Sequence, residues 1–130
     1  MADLDDSARS KVNAPNLAFL ATVMGDGSPQ VTPVWIHLEN GYLTFNTAIG
    51  RVKERNMRRD PRVAFSIVDK DDPFDKVCIR GRVVEIIEGE EADRQIDVLA
   101  QKYLGQETYP WRNPEENRIK VLVEPVSVSA

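Results

Sequence analysis

Residues 17–46 read LAFLATVMGDGSPQVTPVWIHLENGYLTFN, and two turn signals inside this stretch decide the fold. Asp26-Gly27 and Asn40-Gly41 are pairs that tolerate positive φ, which two-residue hairpin turns require. Residues 17–23, 30–38 and 42–46 flank them and are rich in β-branched and aromatic side chains, so three strands are expected, joined by two hairpins into an antiparallel meander. Residues 17–23 are apolar enough for a strand buried on both faces. Pro33 stands in the middle of the second strand, where a missing ladder donor implies an edge or a bulge. An interrupted ladder there leaves backbone groups that a planar ring could use, or it marks nothing more than an edge.

Working outward, residues 3–14 have a helical look that ends near Pro15. Residues 51–59 form a second helical segment, stopped by Asp60-Pro61 because the residue before proline disfavours helix. A strand is expected at 62–68, an acidic loop at 69–75, and a long strand at 76–87 with Gly81 marking a bulge. Residues 90–104 carry Ala92, Ile96, Leu99, Ala100, Tyr103 and Leu104 at spacings of three and four, the stripe of an amphipathic helix, and Gly105 stands where a left-handed cap belongs. An irregular loop at 106–116 carries Tyr109, Pro110 and Trp111. A sixth strand at 118–124 and a short tail at 125–130 complete the chain. The expectation is a mainly β (α+β) fold, a six-stranded antiparallel barrel with two or three flanking helices, as one domain over residues 1–130.

Composition narrows the chemistry. The chain has 130 residues, of which 42% are hydrophobic and 29% charged, ordinary values for a globular protein. A single cysteine, Cys78, excludes an internal disulfide and a cysteine-based zinc site. A single histidine, His37, leaves no His-rich metal cluster. No apolar run approaches the ~20 residues of a spanning helix, and the acidic start Met-Ala-Asp-Leu-Asp-Asp is unlike a signal peptide. The reading is a cytoplasmic protein with no metal, no membrane and no nucleic-acid partner. With so little catalytic equipment of its own, an enzyme here would depend on a bound cofactor. Cys78 is expected to be a small buried residue, and His37 to be structural.

Residues 51–62 hold six basic side chains against Glu54 and Asp60, a local balance of +4 on a chain of net charge −4, so the remainder carries −8. This suits either a small anionic ligand or a solvated helix face. The segment follows a strand end and Gly50, and a helix N-terminus exposes unpaired N–H groups that suit phosphate. A continuous helix would separate Arg51 and Lys53 by about 200°. They converge on one anion only if Arg51 lies in the turn. Ile49, Val52 and Asn56 share a face by spacing, which turns the Asn56 amide inward, as ligand or as structural tie.

The motifs LATV (20–23), DGSPQVTPVW (26–35), FNT (45–47) and GRVKERNMRRDPRV (50–63) resemble the pyridoxamine 5′-phosphate oxidase-like superfamily. Within it they are similar to the small flavin/deazaflavin oxidoreductases of the B group. IRGRV (79–83), KYLG (102–105) and YPW (109–111) extend the likeness to residues 15–124. The resemblance implies an FMN-binding split β-barrel and a homodimer with cofactor sites at the subunit interface. It implies that Arg51 and Lys53 hold a cofactor phosphate and that Thr32, Pro33, Val34, Asn46 and Thr47 lie against the ring and its side chain. Trp111 or its loop would help the partner close the site. Val52 and Asn56, on the inward helix face, complete the candidate cofactor-binding set.

The cofactor implied first is coenzyme F-420, an 8-hydroxy-5-deazaflavin whose polyglutamate tail suits a strongly basic segment. FMN is the alternative, satisfied by Arg51 and Lys53 alone. The expected activity is hydride transfer between the coenzyme and a small conjugated organic acceptor. A flavin reductase or oxidase, and a non-catalytic carrier, are the competing readings.

Overall fold

The computed structural model describes residues Met1–Ala130. Three helices, α1 (Asp6–Asn13), α2 (Val52–Arg59) and α3 (Glu90–Leu104), accompany seven strands: β1 (Ala18–Val23), β2 (Pro29–Val34), β3 (Ile36–Glu39), β4 (Tyr42–Ala48), β5 (Arg62–Val68), β6 (Lys76–Glu88) and β7 (Arg118–Ser129). All pair antiparallel in one sheet of order β2-β1-β5-β6-β7-β4-β3. No helix is long and apolar enough to cross a membrane.

The seventh strand comes from splitting the expected second one. At Trp35 the chain leaves the ladder with β1 and starts a new one with β4, so β2 and β3 are the two outer edges of the sheet. The meander expected from the two hairpins is therefore a curled sheet whose edges meet at one residue. Pro33 lies on the edge strand β2, opposite Phe19, where a missing donor breaks no second ladder. Phe45 on β4 and Phe65 on β5 lie three places apart in the sheet, yet their rings meet edge to face at 6.0 Å. Only closure of the sheet brings them together, and the result is a split barrel.

Its interior is filled by Leu20, Ile36, Leu43, Phe45, Phe65, Ile67, Ile79, Ile119, Val121 and Val123, all essentially inaccessible. Each such side chain removed from water contributes ~1.5–3 kcal/mol. Leu4, Ala8 and Val12 bring α1 into the same core, and Asp5 caps that helix by accepting from the Ala8 amide at 2.8 Å. Helix α3 buries Ala92, Ile96, Leu99 and Ala100 against β4, β6 and β7. Gly105 ends it in the left-handed conformation, φ 70°.

Several expectations are corrected by this geometry. Asn40 and Gly41 form the two-residue turn, with φ 52° and 84°, but the first hairpin is longer, closed by the Met24 amide on the Ser28 carbonyl at 2.8 Å. Strand β1 is buried on one face only, because its outer face has no layer above it: Phe19 is 40% exposed. Cys78 lies on that same outer face, beside Ser66 and Ser129, and is half-buried rather than enclosed. The last strand continues through Pro125 to Ser129, since a register shift at Arg80/Gly81 faces the proline. The bulge expected at Gly81 is there, and a Cβ on that residue would stand 2.5 Å from Val123 Cγ1 and 3.0 Å from the Glu124 carbonyl oxygen.

Candidate functional site

The place where the barrel splits is also where a cleft opens. Trp35 forms its floor, stacked on Tyr103 at 5.3 Å and 10° and met edge-on by Tyr109. The interrupted backbone is stitched to α3 from behind. The Ile36 amide donates to Tyr103 Oη at 3.1 Å, Lys102 Nζ donates to the Ile36 carbonyl at 2.6 Å and to the Val12 carbonyl at 2.5 Å, and Tyr103 Oη donates to the Asn16 carbonyl at 2.6 Å. The free backbone groups expected at the break are thus partly taken by side chains of α3.

A cavity of about 310 Å³ is lined by Leu17, Pro33, Val34, Trp35, Asn46, Thr47, Arg51, Lys53, Tyr109, Trp111 and Arg118. It therefore collects seven of the ten candidate residues, contributed by β2, β4, the start of α2 and the 106–117 loop. No carboxylate is among its lining residues.

Near the end of β4, Asn46 and Thr47 lie on opposite sides of the strand. Asn46 Nδ2 donates to the Ala92 carbonyl at 2.8 Å and to Gln95 Oε1 at 3.0 Å, while its Oδ1 is buried without a partner. Thr47 continues the inward row of Leu43 and Phe45, and its buried hydroxyl is also unpartnered. An unpaired buried polar atom costs ~1–3 kcal/mol, so these two, one on each side of the strand, mark places for a ligand's polar groups.

Arg51 is the N-cap of α2, with φ −69° and ψ 151°, and its side chain makes no capping bond. This meets the condition for convergence: Arg51 still lies in the turn, and both it and Lys53 reach the cleft. Glu54 holds the turn in shape by accepting from the Gly50 amide at 2.9 Å and by pairing with Arg58. The Gly50 amide, and then Arg58, hold its carboxyl below the usual carboxylate range against the opposing effect of burial. Burial pushes the Lys53 ammonium below its ordinary range, and the charges of Arg51 and Arg118 push it further. Three cations thus share one end of the cleft. Glu116 answers two of them, at 2.7 Å from Arg51 and 3.8 Å from Arg118.

The other four basic residues of the segment do not face the cleft. Arg55 donates to the Gly50 carbonyl, Arg58 pairs with Glu54, Arg59 donates to Asn56 Oδ1, and Arg62 pairs with Asp60. The concentrated charge that suited a polyglutamate tail is therefore mostly spent on the helix's own surroundings. Asn56 is outside the cleft as well. Its amide is buried and donates to Thr22 Oγ1 at 3.0 Å and to Met24 Sδ at 3.3 Å, which makes it the tie between α2 and β1. Val52 does not line the cavity, and Thr32, opposite Leu20, belongs to the inward row of β2 with its hydroxyl unpartnered.

Arg118 was the residue that sequence reading missed. It lies at the first position of β7, opposite Ala48, and its guanidinium sits over the Tyr109 ring at 5.1 Å. Nothing local marks it, because only the pairing of β4 with β7 brings it to Arg51. Tyr109 and Leu17 reach the cleft in the same long-range way.

A family model described as pyridoxamine 5′-phosphate oxidase matches residues 4–127. An F420 reductase of known structure is 28% identical, with 97% of this chain and 98% of that one covered and a TM-score of 0.84. A conserved hypothetical protein from Mycobacterium tuberculosis is 26% identical, with coverage of 98% and 84% and a TM-score of 0.75. A pyridoxamine 5′-phosphate oxidase candidate from Lactobacillus delbrueckii, 23% identical over 98% and 94% with a TM-score of 0.70, shares the fold.

Proposed function

The chain belongs to the pyridoxamine 5′-phosphate oxidase family, and from that premise we propose that it is an oxidoreductase of coenzyme F-420. It would move a hydride between that coenzyme and a small conjugated organic acceptor. The observation that carries the reading is one cleft holding both an unpaired lysine beside two arginines and two orphaned polar atoms. Likeness to an F420 reductase along the full length of both chains supports the choice of coenzyme.

The residues present fit such a group. Arg51, Lys53, Arg118 and the unpaired N–H groups at the start of α2 suit its phosphate. Asn46 Oδ1 and Thr47 Oγ1 suit polar atoms of the ring and its chain. Pro33, Val34 and Trp35 supply a dry wall. When bound, a deazaflavin or flavin supplies the hydride chemistry itself. The chain's residues bind, orient and exclude water, and none is required to act as acid or base.

We further infer a homodimer in which the partner closes the cleft. Opposed residues of antiparallel strands share a face, so Pro33, Phe19, Ser66 and Cys78 make an uncharged row across the outer sheet. Val31, 60% exposed, adjoins it. Leu17 and Pro33 belong to the cleft rim, so apolar surface runs from the cleft onto this face.

FMN is the second reading, favoured by the four arginines that turn away from the cleft and leave a site sized for one phosphate. Titration of the purified protein with oxidised F-420 and, separately, with FMN decides between them. Micromolar or tighter binding of F-420 with weak FMN binding is expected. The reverse makes this a flavin enzyme, and binding of neither overturns the assignment. A protein that binds F-420 but passes hydride to no acceptor is a carrier.

A further inference from the structure

We propose that Glu116 is a built-in occupant of the anion site, a carboxylate that holds the cation cluster while no ligand is bound and must leave it when an anionic ligand enters. The proposal deepens the reading of the cleft as an anion site and rests on it. Glu116 pairs with Arg51 at 2.7 Å and with Arg118 at 3.8 Å, the only ion pairs that either arginine makes. It engages the Arg51 guanidinium from outside the cleft's own lining, and a phosphate oxygen that used the same Nη2 would have to displace it.

The carboxylate belongs neither to α2 nor to the barrel wall. It comes from the end of the loop that also carries Tyr109 and Trp111. That loop is docked on α3 through Asp97, which accepts from the Tyr109 amide at 2.8 Å and from Arg112 at 2.6 Å. Cation cluster and aromatic wall are thus held by one segment, so releasing Glu116 loosens the loop at its Arg51 end.

Charge sets the direction of the exchange. A phosphate placed between Arg51, Lys53 and Arg118 meets three positive charges, where the Glu116 carboxylate pairs with two, and displaces it from Arg51. Glu116 itself lines a second cavity of about 320 Å³, together with Arg112, Arg118, Glu88 and Asp93. Released from Arg51, the side chain can stay in that cavity near Arg118. Ligands lacking a strong anion leave Glu116 in place. Glu116 thereby requires of a ligand an anion that reaches Lys53 as well as the two arginines, which makes it a specificity determinant for the cleft.

The test is the affinity for inorganic phosphate of wild type, Glu116→Gln and Glu115→Gln, by titration calorimetry or amide chemical shifts. Glu115 is exposed and makes no ion pair, so its variant removes the same charge without touching Arg51. Glu116→Gln is expected to bind phosphate about three- to tenfold tighter than wild type, and Glu115→Gln to match wild type. Glu116→Asp, which retracts the carboxylate by one methylene, should tighten binding less. Equal or weaker affinity in Glu116→Gln overturns the proposal, because the carboxylate would then orient Arg51 rather than compete for it. Equal tightening in both glutamine variants also overturns it, as an effect of net charge. If wild type binds phosphate and Glu116→Gln gains nothing, only Glu116's role fails. If none of the proteins binds, the anion site fails and the occupant with it.

Discussion

Lys102 Nζ lies 2.6 Å from the carbonyl oxygen of Ile36, the first residue after the barrel's break. Burial pushes the ammonium down to about 8 from an ordinary value of 10.5. Between those values the unfolded chain binds more protons than the folded one, so stability rises with pH across the window. Below about 8 both states are protonated and the burial cost is carried in full. The unfolding free energy of wild type relative to Lys102→Met is therefore expected to increase from pH 7.5 to pH 10 in urea titrations. A difference that stays flat or falls contradicts this.

Lys53 has the same direction of shift with a functional consequence. An anion entering the cleft favours the charged lysine, so binding takes up protons where Lys53 is partly neutral and weakens as pH rises through its lowered pKa. Lys53→Ala is expected to weaken phosphate-ligand binding by about 1.5–3 kcal/mol and to flatten the alkaline fall in affinity. Titrations of FMN at several pH values would show both effects.

Asn56 should separate stability from binding. Its buried amide ties α2 to Thr22 and Met24 and faces no cavity wall of the cleft. Asn56→Ala is expected to lower stability by about 1–2 kcal/mol, the cost of a lost buried hydrogen bond, with cofactor affinity nearly unchanged. Loss of affinity without loss of stability would return Asn56 to the site.

Gly81 has no room for a side chain, because an added Cβ meets Val123 and the Glu124 backbone. Gly81→Ala is expected to cost about 1–3 kcal/mol through overpacking, read as a lower urea midpoint. An unchanged midpoint would mean the β6–β7 bulge yields freely.

The outer face of β1 gives a test of assembly. Phe19→Asp places a charge in the uncharged row beside Pro33 and Ser66, where a homodimer would bury it unpaired. Wild type should sediment at twice the 14.7 kDa chain mass, and the variant as a monomer. A monomeric wild type removes the proposed interface.

Much of this was legible from local signals. Asn40-Gly41 fixed one turn outright, and the stripe from Ala92 to Leu104 gave α3 to the residue, because turn chemistry and helical period act over a few neighbours. Pro33 and Gly81 also announced an edge and a bulge correctly. What stayed hidden depends on partners distant in sequence. Nothing near Trp35 says that one strand serves two edges, and nothing near Arg118 says that β7 lies beside β4. The charge of residues 51–62 misled for a related reason: a count of arginines does not say which carbonyls and carboxylates already engage them. Arg51 and Lys53 were readable because their convergence turned on one local question, where the helix begins.

The pairing of β4 with β7 also bears on how the molecule is made. Residues 43–48 find their inner neighbours only at residues 118–123, so the barrel stays open until a segment about seventy residues further along the chain has been made and has paired. Contacts this far apart in sequence also form slowly. Since Arg118 arrives with β7, the set of three cations is complete only once that strand has paired with β4, and a ligand that needs all three is bound after the barrel has closed.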